Sequence, residues 1–317
     1  MTIRYIDLFC GIGGFRIAAE SVFSKRGIAS QCVFSSDIDP QAQRAYEANF
    51  GEKPVGDITL VEAGDVPDHD ILFAGFPCQP FSIIGDMKGF EETRGTLFFD
   101  IARILDAKRP RAFILENVKM LVGHQNGRTM SRILETLSEL GYTTHHKVLN
   151  ALDFGLPQKR ERIIIVGFDQ PTKFEWPEGG ADMTPLASLL EEDVDSRHYA
   201  SDRIRLARRA ACSVRSGNAE PTVWHENKAG HISAYPYSCA LRAGASYNYL
   251  LVNGERRLTP REMLRLQGFL DSYKIVCTDW QTRKQAGNAV PPPMIAAVLE
   301  KLLDVTPLSQ NWERGRG

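Results

Sequence analysis

Gly75-Phe76-Pro77-Cys78-Gln79-Pro80-Phe81-Ser82 sets one cysteine between two prolines, directly after the apolar run Ile71-Leu72-Phe73-Ala74. That run is short, β-prone and bounded by turn residues, which predicts a buried strand whose carboxyl end presents Cys78. In an open α/β sheet this edge is where ligands and chemistry collect. Pro77 and Pro80 fix their own φ and restrict the residues before them, so Cys78 is expected on a stiff loop, suited to a nucleophile that must meet one carbon. Taken alone, a free cysteine is more often a small buried hydrophobe. The decision between the two readings rests on the neighbouring motifs.

Upstream, Ile3 to Phe9 reads as a first strand, and Cys10-Gly11-Ile12-Gly13-Gly14 as a tight turn into a helix over Phe15 to Ser24. Glycines there let the backbone approach a ligand between strand end and helix start. A nicotinamide-binding fingerprint counted from Gly11 needs a glycine at position 16, where the chain has Arg16. A second strand, Cys32 to Asp37, ends in an acid 24 positions after Gly13. Doubly wound folds place there the carboxylate that accepts hydrogen bonds from ribose hydroxyls. Downstream, Leu97 to Ala107 and Arg128 to Leu140 have helical periodicity. Ala112 to Glu116, Thr143 to Leu149 and Arg162 to Phe168 read as strands. The alternation predicts an α/β fold with a doubly wound, mostly parallel sheet. Gly85, Gly89 and Gly95 punctuate a polar stretch that suits either a hinged lid or a plain surface loop.

A chain of 317 residues exceeds what one core usually fills, so a large domain and a smaller one are expected. Hydrophobic content of 43% and charged content of 24% are ordinary for a globular protein. Beyond Asp169 the alternation dissolves into Pro171, Pro177, Gly179, Gly180 and Pro185. We expect one domain over 1–171, a second over 172–260, and a returning segment over 261–317. A capping box at Thr259-Pro260-Arg261-Glu262 starts a helix that runs to Gly268, and a last helix covers Pro292 to Leu303. The net charge of −1 excludes binding through global basicity, yet Arg197 to Arg265 holds twelve Lys/Arg against five Asp/Glu. That block reads as a phosphate-facing surface or as a solvated face with interspersed arginines. The six cysteines show no metal-ligand or disulfide spacing, so no metal is expected. With no signal-peptide pattern and no long apolar stretch, a cytoplasmic protein without membrane attachment is expected.

Together with Glu116-Asn117-Val118, Gln158-Lys159-Arg160-Glu161-Arg162 and the glycine turn from Asp7 to Phe15, the octapeptide resembles the cysteine-proline motif of the DNA cytosine-5 methyltransferases. The resemblance covers nearly all of residues 3–168 and 257–299. It implies a Rossmann-like domain that binds S-adenosyl-L-methionine and a smaller target-recognition domain. It casts Cys78 as the thiolate that adds to cytosine C6, Glu116 as the acid at N3, and Arg160 or Arg162 as the cation favouring the thiolate. It assigns Asp37 to the cofactor ribose, where the family more often has glutamate, Ile38 to the adenine face and Asp57 to the adenine amino group. Phe9, Gly11, Gly13, Ile58, Pro77, Leu97, Asn288 and Val290 complete the implied cofactor site. Taken locally, Asp57 is equally a helix cap or turn residue, and Glu116 an ion-pair partner of Lys119 or Arg111.

The resemblance further implies double-stranded DNA as partner, a cytosine flipped from the duplex, a monomer, and a companion restriction endonuclease of a bacterial system. Arg215, Arg242 and Asn248 are candidate base readers. Three rivals remain: a tRNA cytosine-5 methyltransferase, a catalytically inactive DNA-binding homologue, and methylation of an exocyclic amine. The last would leave Cys78 and Glu116 without a purpose.

Overall fold

The run preceding the cysteine loop forms β3 (Ile71–Gly75), with its first four residues wholly buried. Burial on both faces explains why its sequence is continuously apolar and does not alternate. The computed structural model describes residues 2–77, 97–212 and 221–306. Around β3 lie β1 (Ile3–Leu8), β2 (Ser30–Ser36), β4 (Ala112–Val118), β5 (Thr143–Asn150) and β7 (Glu161–Phe168) in one six-stranded sheet of order β2-β1-β3-β4-β7-β5. β1 to β4 run parallel, and β7 is antiparallel to both β4 and β5. The short β6 (Gln158–Lys159) precedes β7.

Helices cover both faces. On one side α1 (Gly14–Lys25) and α9 (Pro292–Val305) pack over Tyr5, Phe73, Ile114 and Ile164. Arg26 hydrogen-bonds Glu300 and Asp304 at 2.7 Å, tying the two helices together at their solvent edge. On the other side α3 (Leu97–Lys108) and α4 (Arg128–Glu139) bury Ile101, Leu105, Ile133 and Leu137 against Leu72, Phe113 and Leu115. α2 (Pro40–Phe50) follows β2 and is capped by Asp39, whose side chain accepts from the Gln41 amide.

Beyond β7 the chain forms α5 (Leu186–Leu189), α6 (Asp202–Ala211), β8 (Val223–Glu226), β9 (Ile232–Tyr235), β10 (Ser238–Cys239) and β11 (Leu250–Val252). β11, β8 and β9 make a small antiparallel sheet, while β10 pairs with β6 beside the main sheet. The region has no sealed core of its own: Val223, Leu241 and Leu250 share one cluster with Ile12 and Ala45 from the first 50 residues and with Leu264 and Ala286. α7 (Pro260–Gln267) begins with the predicted capping box, and α8 (Asp279–Asn288) leads into α9. Among the described residues no helix is long and apolar enough to cross a membrane.

Candidate functional site

A cleft of about 680 Å³ opens at the carboxyl ends of β1 to β4, where the strand order reverses on either side of β1 and β3. Each strand delivers a loop to it. Phe9 and Gly11 follow β1, Asp37 and Ile38 follow β2, Phe76 and Pro77 follow β3, and Glu116 and Asn117 close β4. Arg160, Arg162 and the end of α8 form the remaining wall.

Glu116 is 7% exposed, and its Oε1 lies 2.8 Å from Arg162 Nε. Arg162, and not Lys119, is its ion-pair partner, since Lys119 binds Glu161 instead. Burial pushes the Glu116 carboxyl up, and the charges of Arg162 and Arg160 offset this only in part. The acid therefore keeps its proton to higher pH than a solvated glutamate. Asn117 holds the neighbouring loop: its side-chain amide donates to the Phe76 carbonyl at 2.9 Å and its Oδ1 accepts from the Val118 amide. The ends of β3 and β4 are thereby fixed to each other.

Arg160 is 1% exposed and donates to the carbonyls of Leu241, Gly287 and Ala289 at 3.0, 3.1 and 2.8 Å. Burial first, and the Arg162 charge second, pull its pKa down to about 9. Reading it only as a cation for a thiolate misses this clamp. Gln158 acts beside it, donating to Leu266 O and Gln267 Oε1 and accepting from the Leu241 amide.

At the β1 and β2 ends, Asp37 accepts from the amides of Gly11 and Asp39, both at 2.8 Å, while burial pushes its carboxyl up. Gly11 has φ 53°, and a Cβ built there meets no protein atom within 4 Å, so the turn leaves open space on the cleft side. Phe9 itself adopts φ 54°, a conformation rare for a bulky side chain. Ile38 is 70% exposed on the rim. Asp57 serves its local role, since Oδ1 accepts from the Thr59 amide and hydroxyl, yet it also lines the cleft with Ile58. Leu97 and Asn288 line it as well, whereas Gly13 and Val290 do not. Gly13 lies under the Phe50 and Tyr46 rings, and Val290 presses its backbone and side chain on Gly14, docking the returning segment onto α1.

Several cleft residues escape sequence reading, among them Lys284, as do the partners that α8 finds across the cleft. Lys284 on α8 binds Asp39 at 2.7 Å across 245 positions, and against the pull of burial this hydrogen bond holds the Asp39 carboxyl below its usual range. Gln285 donates to the Gln41 carbonyl beside it. No local pattern announces either. Behind the cleft, Asp7 in β1 is wholly buried with no hydrogen-bond partner of normal length among the described residues, and burial raises its pKa well above the carboxylate range despite the Arg16 charge.

Cys78, the glycine-punctuated stretch through Gly95, and Arg215 lie outside the described residues. Of the other two candidate readers, Arg242 is exposed, while Asn248 is an internal acceptor for Arg257 Nε at 2.7 Å. Among the described residues no group of three or more His, Cys, Asp or Glu is arranged to hold a metal ion.

The model of C-5 cytosine-specific DNA methylases matches residues 3–304. Type II methyltransferase M.NgoBI of Neisseria gonorrhoeae is 58% identical over 296 residues, covering 93% of this chain and 91% of its own length. M.HaeII of Haemophilus aegyptius is 53% identical over 303 residues, covering 95% and 93%. Among solved structures, the Entamoeba histolytica methyltransferase EhMeth superposes with TM-score 0.73 at 18% identity, over 96% of this chain and 98% of that one. That last likeness concerns the fold, but the match along nearly the whole chain and the close relatives decide the matter: the chain belongs to the C-5 cytosine-specific DNA methylase family.

Proposed function

We propose that the chain methylates C5 of a cytosine flipped out of double-stranded DNA at a short specific sequence, through a covalent bond between Cys78 and C6. The observation that carries this reading is the buried Glu116, its pKa raised, facing the same cleft as the Gly11 turn and Asp37. Cytosine C5 is a weak nucleophile until the ring is made an enamine. Addition of the Cys78 thiolate to C6, with a proton held by Glu116 against N3, achieves that, splitting one hard step into two. Arg162 keeps the Glu116 side chain in place. Once C5 carries the methyl group, loss of the C5 proton to a base expels the thiolate from C6 and restores the ring. S-adenosyl-L-methionine supplies the methyl electrophile when bound.

The cleft suits that cofactor. The open space at Gly11 admits a ligand against the backbone. Asp37 retains acceptor capacity for ribose hydroxyls after serving two amides, and Ile38 with Ile58 offers apolar surface for a purine. Phe9, Asp57, Pro77, Leu97 and Asn288 would line the remainder. We assign 1–171 to catalysis, 172–260 to target recognition and 261–317 to the returning segment, and expect a cytoplasmic monomer. The Type II names of the relatives support a partnership with a restriction endonuclease, methylation protecting the host site.

Bisulfite sequencing of DNA from a methylation-free host expressing the chain tests the reading. Protected cytosines in one short repeated context are expected. Complete conversion, with the protein folded, would overturn it and direct the search to RNA. Calorimetry should separately show weaker S-adenosyl-L-methionine binding for Asp37→Ala, and an unchanged dissociation constant would move the ribose site elsewhere.

A further inference from the structure

Between the small antiparallel sheet and α8, three guanidinium groups alternate with two aromatic rings in a continuous stack. Arg242 lies 4.8 Å from the Tyr249 centroid, and Arg283 lies 5.6 Å from the same ring and 4.9 Å from Tyr247. Arg257 completes the series 4.7 Å from Tyr247. Other arginines of the basic block are neutralised internally: Arg205 and Arg209 pair with Glu255, Arg208 with Glu226, Arg256 with Glu262 and Arg265 with Asp271. Among the described residues, no carboxylate lies within 4.0 Å of the three stacked guanidiniums. Arg257 spends donors on Asn248 Oδ1 and on the carbonyls of Arg197 and Tyr199, and Arg283 spends its own on the carbonyls of Ala245 and Ser246. The neighbouring Asp279 is engaged by Arg197 at 3.2 Å.

The stack is keyed to the cleft. Leu241, next to Arg242, is gripped at its amide by Gln158 and at its carbonyl by Arg160, both at 3.0 Å. A Cβ on cleft-lining Gly287 would fall 2.4 Å from Ala243 N and 2.7 Å from the Arg242 carbonyl carbon, so the Arg242–Ala243 backbone presses directly on the wall of the site. The Tyr249 hydroxyl accepts from the Arg242 amide at 2.9 Å, fixing the ring under its guanidinium. Stacking on a ring orients a cation without cancelling its charge. Burial draws the Arg283 pKa down, with a smaller contribution from the charge of Arg257, against the opposing effect of Tyr249 and Tyr247.

We propose that the series Arg242, Tyr249, Arg283, Tyr247, Arg257 is a phosphodiester-docking surface that holds the DNA backbone beside the cleft, with Arg242 taking a phosphate through a guanidinium edge that no described residue engages. This rests on the DNA-methylating reading above. A planar fork held flat on a ring suits bidentate capture of phosphate oxygens, and three uncompensated positive charges favour a polyanion over the neutral edge of a base. Tyr247, 44% exposed, and the exposed Arg242 keep the surface open to solvent.

The test is fluorescence anisotropy of the full chain on two duplexes, one carrying the site found by bisulfite mapping and one with that site scrambled, across a salt series. Arg242→Gln should weaken both duplexes by the same factor and flatten the slope of log affinity against log salt by about 0.9, one phosphate contact. The affinity lost between about 50 and 200 mM salt would then shrink roughly 3.5-fold relative to the parent. Arg242→Lys should restore the slope. A loss confined to the specific duplex would make Arg242 a base reader and overturn the proposal, as would parent-like binding to both. A parent chain that binds neither duplex would instead remove the DNA reading itself.

Discussion

Two buried glutamates, each beside an arginine, behave in opposite ways. At the start of α7, Glu262 is fully buried and accepts two bonds from Arg256, both at 2.8 Å, one from the Thr259 amide at 2.8 Å and one from the Glu191 amide at 2.9 Å. In the cleft, Glu116 has Arg162 as its one hydrogen-bonding partner among the described residues, at a single oxygen. The first carboxylate is saturated and locks the joint between α5 and α7. The second is buried with fewer donors, and burial raises its pKa against the pull of Arg162 and Arg160, so a proton remains available to a substrate. The same pair of residue types becomes a fastener or a reagent according to how many donors surround the acid.

Breaking the fastener should have the largest effect. Glu262→Ala leaves Arg256 buried without its counter-charge and is expected to destabilise the fold by about 3–5 kcal/mol. Urea unfolding measures this, and a loss below about 1 kcal/mol, the range of exposed pairs, would deny the contrast. Glu116→Gln should leave the unfolding midpoint near that of the parent while methyl transfer falls at least ~10²-fold, the lower bound for losing an acid catalyst. Because the Glu116 pKa is raised, the parent's rate should fall as pH rises through that value, and the alkaline limb should vanish in the Gln variant. A Gln variant that keeps the limb would assign it to another group.

Asp7 extends the comparison to a wholly buried acid whose oxygens have no hydrogen-bond partner of normal length among the described residues. At low pH folded and unfolded chains both carry its proton. As pH rises the unfolded chain ionises first, and stability drops by up to about 1.4 kcal/mol per pH unit until the folded group ionises as well. The stability of Asp7→Asn relative to the parent should therefore improve steadily from acid to neutral pH, and a constant difference would mean Asp7 is ionised in the fold. The smallest effect is expected for Thr259→Ala, about 1 kcal/mol for a lost cap. Combined with Glu262→Ala it should prove strongly non-additive, since both act on one capping box.

What local chemistry dictates was legible in the chain. The Thr259 cap, the glycine turn after β1, the acids ending β2 and β4, and the buried strand before Cys78 all depend on residues within one turn or one strand of each other. What depends on distant partners was not. Asp39 and Lys284 meet across 245 positions. Asn248 has a base reader's chemistry but is taken by Arg257, and much of the basic block between Arg197 and Arg265 is neutralised by acids that only the fold brings near. The strands of the small sheet are three or four residues long, too short to show a period.

The Arg160 clamp has a consequence for the order in which the molecule is made. Its carbonyl partners lie 81, 127 and 129 positions further along the chain, so their loops close late. Until the segments bearing those carbonyls have packed against it, the guanidinium lacks the acceptors that satisfy it in the finished fold. Completion of the centre thus waits for Ala289, and a chain truncated before that residue should hold Glu116 and Arg162 without holding Arg160 in working order.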